Sequence, residues 1–195
     1  MNSIFTTSFS NPQSLQTKDF MLFPTNTAFY QSDYEAVMKS KGILRVWSQS
    51  TWPEDDFTPL QNKEDLAGHV QDNVEHTAYG YMIYSLDKRA CYGSLYVNPL
   101  STVLGNYNLD VNQEKLIHAR QARIDFWVVA GEPELEKEIT REILEWFSKV
   151  WKIHPLFSAR EGMTLREEIY SELGLKKVLH LRSKVSEATL LLYDR

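Results

Sequence analysis

Apolar residues along this chain recur with two different periods, and each change from one period to the other marks an element. Residues 1 to about 19 follow neither period and read as an N-terminal arm, flexible or loosely packed on the domain. Residues 20–23 form a short apolar run closed by Pro24, which cannot donate to a β-ladder, and read as a strand. Tyr30, Tyr34, Val37 and Met38 then return at helical spacing, with Asn26 or Thr27 as a cap and Gly42 as a stop. Residues 48–57 hold Pro53 and three consecutive acids, Glu54, Asp55 and Asp56, and read as a solvated loop. Thr58-Pro59 opens a second helix, on which Leu66, Val70 and Val74 share a face. Residues 78–85 and 90–97 are aromatic-rich and closely joined, as in an antiparallel hairpin, with Gly93 marking a bulge or a close backbone approach.

Residues 98–121 make a long connection, with a helical turn or two over 113–119, of a length that often covers a site. In residues 123–129 the pattern alternates: Ile124, Phe126 and Val128 point one way, and Arg123, Asp125 and Trp127 the other. The strongest helix comes directly after. Pro133 suits its first turn, Glu132, Glu134 and Glu136 favour the positive end of its dipole, and Leu135, Ile139, Ile143 and Phe147 form one apolar stripe. A strand at 156–159, a helix at 164–173 stopped by Gly174, and strands at 177–182 and 188–193 complete the chain. The order is a strand, two helices, three strands, a helix, a strand, a helix and two strands. It is an α/β pattern with a central mixed sheet flanked by helices, without repeat or linker, and predicts one domain over residues 20–195.

Composition narrows the function. The formal charge of -5 over 195 residues gives no electrostatic reason to bind nucleic acid. No apolar run is long enough to span a bilayer, and the first twenty residues lack the basic and apolar regions of a signal peptide. Cys91 is the lone cysteine, which suits a reducing compartment and points to the cytoplasm. His69 and His76 stand seven apart, wider than the pair that closes on a metal ion, and read as surface or interface histidines. Three adjacent acids cannot all face one ion, so no metal is expected. Exposed aromatics would support a homodimer. The sequence carries no nucleophile-elbow, phosphate-loop or paired-cysteine motif.

The segment Ile169-Tyr170-Ser171-Glu172-Leu173-Gly174-Leu175 is similar to the tyrosine and Leu-Gly-Phe element of the GNAT superfamily of N-acetyltransferases, with Leu175 where phenylalanine is usual. The order of elements resembles that fold across nearly the whole chain after residue 19. The resemblance implies a GNAT-like acyl-CoA N-acyltransferase fold that moves an acetyl group from acetyl-CoA to an amine acceptor. The strand before the long helix then borders the gap that holds acetyl-CoA, so that Trp127, Val128 and Val129 meet the thioester. On the same resemblance Tyr170 matches the tyrosine that serves as the acid for the leaving thiolate. Asp125, projecting from the same strand, is a candidate base, with Glu161 and His118 as further candidates. The early helices with their loop (30–57) and the connection 98–121 build the acceptor pocket.

One part of the family pattern is missing. The turn after the strand normally brings glycines that let backbone amides converge on the pyrophosphate. Here Glu136 and Glu138 fall at the glycine positions, Thr140 at a third small position, and Gly131 comes too early. Lys137 is the candidate to contact the anion. A carboxylate ~6 Å from a phosphate repels it by about 0.7 kcal/mol even in water-like dielectric. Farther on, Met163 stands where a CoA-contacting asparagine is frequent, and Arg166 where a small residue is usual. The alternative expectation is therefore a noncatalytic GNAT-like binding or assembly module that has lost acetyl-CoA binding.

Overall fold

A computed structural model describes residues 11–195. Its elements are β1 (Leu15–Gln16), β2 (Phe20–Pro24), α1 (Tyr30–Lys39), α2 (Lys41–Ser48), α3 (Pro59–Glu75), β3 (Tyr79–Ser85), β4 (Cys91–Pro99), α4 (Thr102–Asn106), α5 (Val111–His118), β5 (Ala122–Val128), α6 (Pro133–Lys149), β6 (Pro155–Ala159), α7 (Thr164–Glu172), β7 (Lys176–Arg182) and β8 (Thr189–Asp194). The strands form one sheet in the order β1-β2-β3-β4-β5-β6-β8-β7. β5 and β6 are parallel and every other neighbouring pair is antiparallel.

The alternation in β5 decides what covers each face of the sheet. Ile124, Phe126 and Val128 are buried under α6, against Ile139, Ile143, Leu144 and Phe147. Each of these side chains contributes roughly 1.5–3 kcal/mol by leaving water. Trp127 and Val129 face the other way, into a cluster with Val37 of α1, Leu44 of α2 and Leu66 of α3. A third cluster joins α4 and α5 to β7 and β8 through Val103, Ile117, Leu181 and Leu190. Gly93 fits where a side chain would not: its φ is +144°, and a Cβ there would lie 2.0 Å from the Trp127 carbonyl oxygen.

Four stretches depart from the pattern-based expectation. Residues 15 and 16 pair with β2, and Asn11 donates to the Tyr81 hydroxyl, so this part of the arm lies on the sheet edge, while residues 1–10 fall outside the described residues. Gly42 does not stop the first helix. The break comes at Ser40, whose Oγ accepts from the Ala130 amide in the turn after β5, and α2 runs on to a left-handed Gln49. Residues 98–121 fold into α4 and α5. Helix α3 starts as expected, with Thr58 and Gln61 closing a capping box, but Val74 is 68% exposed and the helix turns Asn62, Leu66, His69 and Asn73 inward. A helix with this much polarity on its inner face is lining something besides a core.

Candidate active site

β5 and β6 separate. They pair only from Ala122 with Pro155 to Ile124 with Phe157, although β5 continues to Val128 and β6 to Ala159. Beyond Ile124 the β6-facing backbone groups of β5 have no strand partner. The Val129 amide donates to Tyr92 on β4, so by the parity of the ladder the Phe126 carbonyl and the Val128 amide face the opening.

Two cavities meet at this opening. One, of about 600 Å³, lies over the sheet beneath α2 and α3, with Tyr96, Asn98, Asp125 and Trp127 in its floor. The other, of about 240 Å³, lies between α2, the start of α6 and the turn before α7. Trp47 and Trp127 line both. The smaller cavity is rimmed by Ile43, Val46 and Leu165, apolar side chains each about 40% exposed. The Trp127 indole N–H is buried where the cavities adjoin and has no well-formed hydrogen bond, although the Tyr96 hydroxyl is near enough to feel it.

Asp125 is buried on the floor of the larger cavity and receives four donors. Arg123 Nε lies at 2.6 Å, Asn98 Nδ2 at 3.0 Å and Arg160 Nη2 at 3.2 Å, and the Ser158 hydroxyl completes the set. Burial alone would raise its pKa, but the two guanidinium groups outweigh it and hold the carboxyl below the usual range. Asp125 is thus a fixed anion of low proton affinity. Ser158 also links it to Tyr170, whose hydroxyl donates to the Ser158 carbonyl at 3.0 Å; Tyr170 is fully buried in the core cluster under α6 and lines neither cavity. Burial pushes the tyrosine up to about 12, against the pull of Arg166, so Tyr170 holds its proton at neutral pH.

His69 joins this group unforeseen. Its ring packs against Tyr96 at 4.7 Å between centroids, tilted by 44°, and Tyr96 is the cross-strand partner of Asp125. Burial lowers its pKa despite Asp72 and Asp65 nearby, which keeps the imidazole neutral and able to accept a proton. The spacing rule that dismissed it tested only for a metal pair. The usable signal was its position one helical turn from Leu66 on the inward stripe of α3.

No sequence-family profile matches the chain, and no curated protein sequence matches it. Solved structures do match. The ribosomal L7/L12 α-N-protein acetyltransferase RimL in complex with coenzyme A superposes with a TM-score of 0.65 at 12% identity, covering 92% of this chain and 94% of that one. The microcin C7 self-immunity acetyltransferase MccE, in complex with acetyl-CoA and AMP, gives 0.66 at 12% identity, covering 92% and 93%. The ribosomal-protein-S5-alanine acetyltransferase from Vibrio fischeri gives 0.64 at 11% identity, covering 93% and 95%. The chain has the GNAT acyltransferase fold. At these identities the likeness is one of architecture.

Within the GNAT fold the two departures read from the sequence turn out to be partners. Arg166 Nε donates to Glu136 Oε1 at 2.8 Å, and Arg166 Nη1 donates to the Phe126 carbonyl at 3.1 Å. The guanidinium lies 3.7 Å from the centre of the Phe126 ring and is only 2% exposed. Glu136, at a glycine position of the family turn, is therefore not an unbalanced charge. Lys137 pairs with Glu172, and the Thr140 hydroxyl donates to the Glu136 carbonyl of its own helix; neither lines either cavity. Val128 lines the smaller cavity, whereas the Val129 side chain is in the core under α1 and α2. Glu161 and His118 are exposed, and neither lines the cavities. Among the described residues no cluster of His, Cys, Asp and Glu suits a metal ion, and no helix is long and apolar enough to cross a membrane.

Proposed function

We propose that the protein is an N-acetyltransferase that moves the acetyl group of acetyl-CoA to an amine acceptor, in a reducing compartment such as the cytoplasm. The observation that carries this reading is the pair of cavities meeting at an unpaired strand edge, the arrangement a two-substrate transfer requires.

The smaller cavity fits the acylated end of acetyl-CoA. Its exposed Ile43, Val46 and Leu165 would cover an apolar arm, and the Val128 amide offers a donor. Acetyl-CoA brings a carbonyl activated by a thiolate leaving group. The protein supplies the rest: Trp127 Nε1–H is placed to donate to an oxygen at the meeting point, His69 accepts the amine proton, and Tyr170 Oη holds a proton for the departing sulfur. Asp125 with Arg123 and Arg160 sums to a single positive charge on the floor, which favours the neutral, nucleophilic form of an amine beside it.

Release of free thiol from acetyl-CoA in the presence of a mixed panel of primary amines tests the proposal. Wild-type protein turns over, and Tyr170→Phe and His69→Gln each lower kcat by roughly 10² or more. Turnover by both variants equal to wild type would remove these residues from the chemistry, and no thiol release with any amine would refute the reading.

A further inference from the structure

The larger cavity has walls of opposite charge. Its floor carries the Arg123, Asp125 and Arg160 group, with one net positive charge. Across from it, α3 contributes Glu64, Asp65 and Asp72, no two of which share a cation in any ion pair among the described residues. Burial raises the pKa of Asp65, which is held by the Trp52 side chain, so its carboxylate lacks the full hydration it would have outside. Trp47, Trp52 and Tyr96 add aromatic faces to the same space, and Gly68 leaves its side open, with nothing within 4 Å of where a Cβ would lie. Carboxylates beside aromatic faces, partly withdrawn from water, recognise an organic cation. They belong to α3, across the cavity from the sheet, and a second observation marks the cavity as a ligand site: Trp127, in its floor, has a buried indole N–H with no well-formed hydrogen bond.

Building on the acetyltransferase reading, we propose that the acceptor carries a second positive charge, set apart from the amine that is acylated, and that the α3 wall binds it. The substrate class is then a diamine, or a larger amine whose far end is cationic. The reacting amine lies over the positive floor in its neutral form, within reach of His69, while the far cation rests against Asp65, one helical turn before His69, with Trp52 beside it. In the transfer a C–N bond forms to the acetyl carbon as the C–S bond breaks, one amine proton passes to His69 and then to solvent, and the departing thiolate takes the Tyr170 proton, which solvent restores, to leave as a thiol.

The test compares 1,5-diaminopentane, 1-aminopentane and 5-aminopentanoate, which share a chain length and differ only in the far group. Calorimetry without acetyl-CoA measures binding, and thiol release measures kcat/KM. The expected result is binding of the diamine alone, a kcat/KM for it at least about tenfold higher than for the monoamine, and little turnover of the aminoalkanoate. Asp65→Asn, at a solvent-accessible position, collapses the diamine-to-monoamine ratio by about tenfold. Equal use of monoamine and diamine, or preference for the aminoalkanoate, would overturn the proposal. Acetyl-CoA titrated alone separates the two claims: its failure to bind counts against the acetyltransferase reading, whereas its binding together with indifference to the far cation counts against the acceptor class only.

Discussion

Removing one member of the Arg166–Glu136 pair should leave the other stranded in the strand opening. In Glu136→Ala the guanidinium keeps its bond to the Phe126 carbonyl and its place on the Phe126 ring but loses its counter-ion, at 2% exposure. Breaking a buried pair from one side costs about 3–5 kcal/mol. The Glu136 side chain is 14% exposed, so water reaches this pair and the lower end, about 3 kcal/mol, applies. For a chain of this size that corresponds to a fall in Tm of roughly 6–12 °C. Replacing both members by uncharged residues of similar volume, Arg166→Met with Glu136→Gln, removes the stranded charge along with the pair and should recover most of the loss. Urea unfolding of wild type, Glu136→Gln, Arg166→Met and the double variant gives the coupling energy, expected at about 3 kcal/mol. Single variants within about 0.5 kcal/mol of wild type, or a double variant that simply adds the two losses, would show that the pair is not coupled as the geometry requires.

Other residues carry outcomes of their own. Tyr170→Phe should lower stability by only about 1 kcal/mol, the value of its bond to Ser158, so a large loss of turnover in a folded variant separates chemistry from packing. Asp33 is buried, and its pKa is raised to about 6 by burial, against hydrogen bonds from Asn62 and Cys91. Its folded form binds a proton more readily than its unfolded form, so stability from this group is present below about pH 4 and lost as pH rises through 6, by at most about 3 kcal/mol. Asp33→Asn should therefore gain on wild type between pH 4 and 7. Taking the difference between the two proteins cancels His69, whose lowered pKa acts in the opposite sense; a flat difference would refute the assignment. Gly93→Ala should cost about 3 kcal/mol or more, read by thermal unfolding, because the new methyl meets the Trp127 carbonyl and the backbone is held at positive φ.

The sequence disclosed the framework better than the site. The alternation at 123–129 and the apolar stripe of α6 told correctly which side of β5 meets the long helix, because both arise from burial alone. The break at Ser40 was hidden because it rests on a hydrogen bond from Ala130, ninety residues away. Glu136 and Arg166 were each legible as departures from the family pattern, yet their pairing needed the opening between β5 and β6 to bring α6 and α7 together. The strand alternation put Asp125 on the face that lines the larger cavity, but it did not disclose the four donors that lower its basicity, since two of them come from β6 and the turn after it. His69 was missed because Val70 and Val74 suggested the wrong inner face for α3, and a polar inner face has no periodic apolar signal.

The central claim is that acetyl-CoA enters the opening between β5 and β6, and calorimetric titration of the wild-type protein with acetyl-CoA tests it most directly. The account predicts saturable binding to one site per chain, with a thermal midpoint that rises with ligand, equivalent to about 2.7 kcal/mol at a hundredfold excess over Kd. No heat and no thermal shift at millimolar acetyl-CoA would contradict it, and would leave the Arg166–Glu136 pair as a permanent closure of the site.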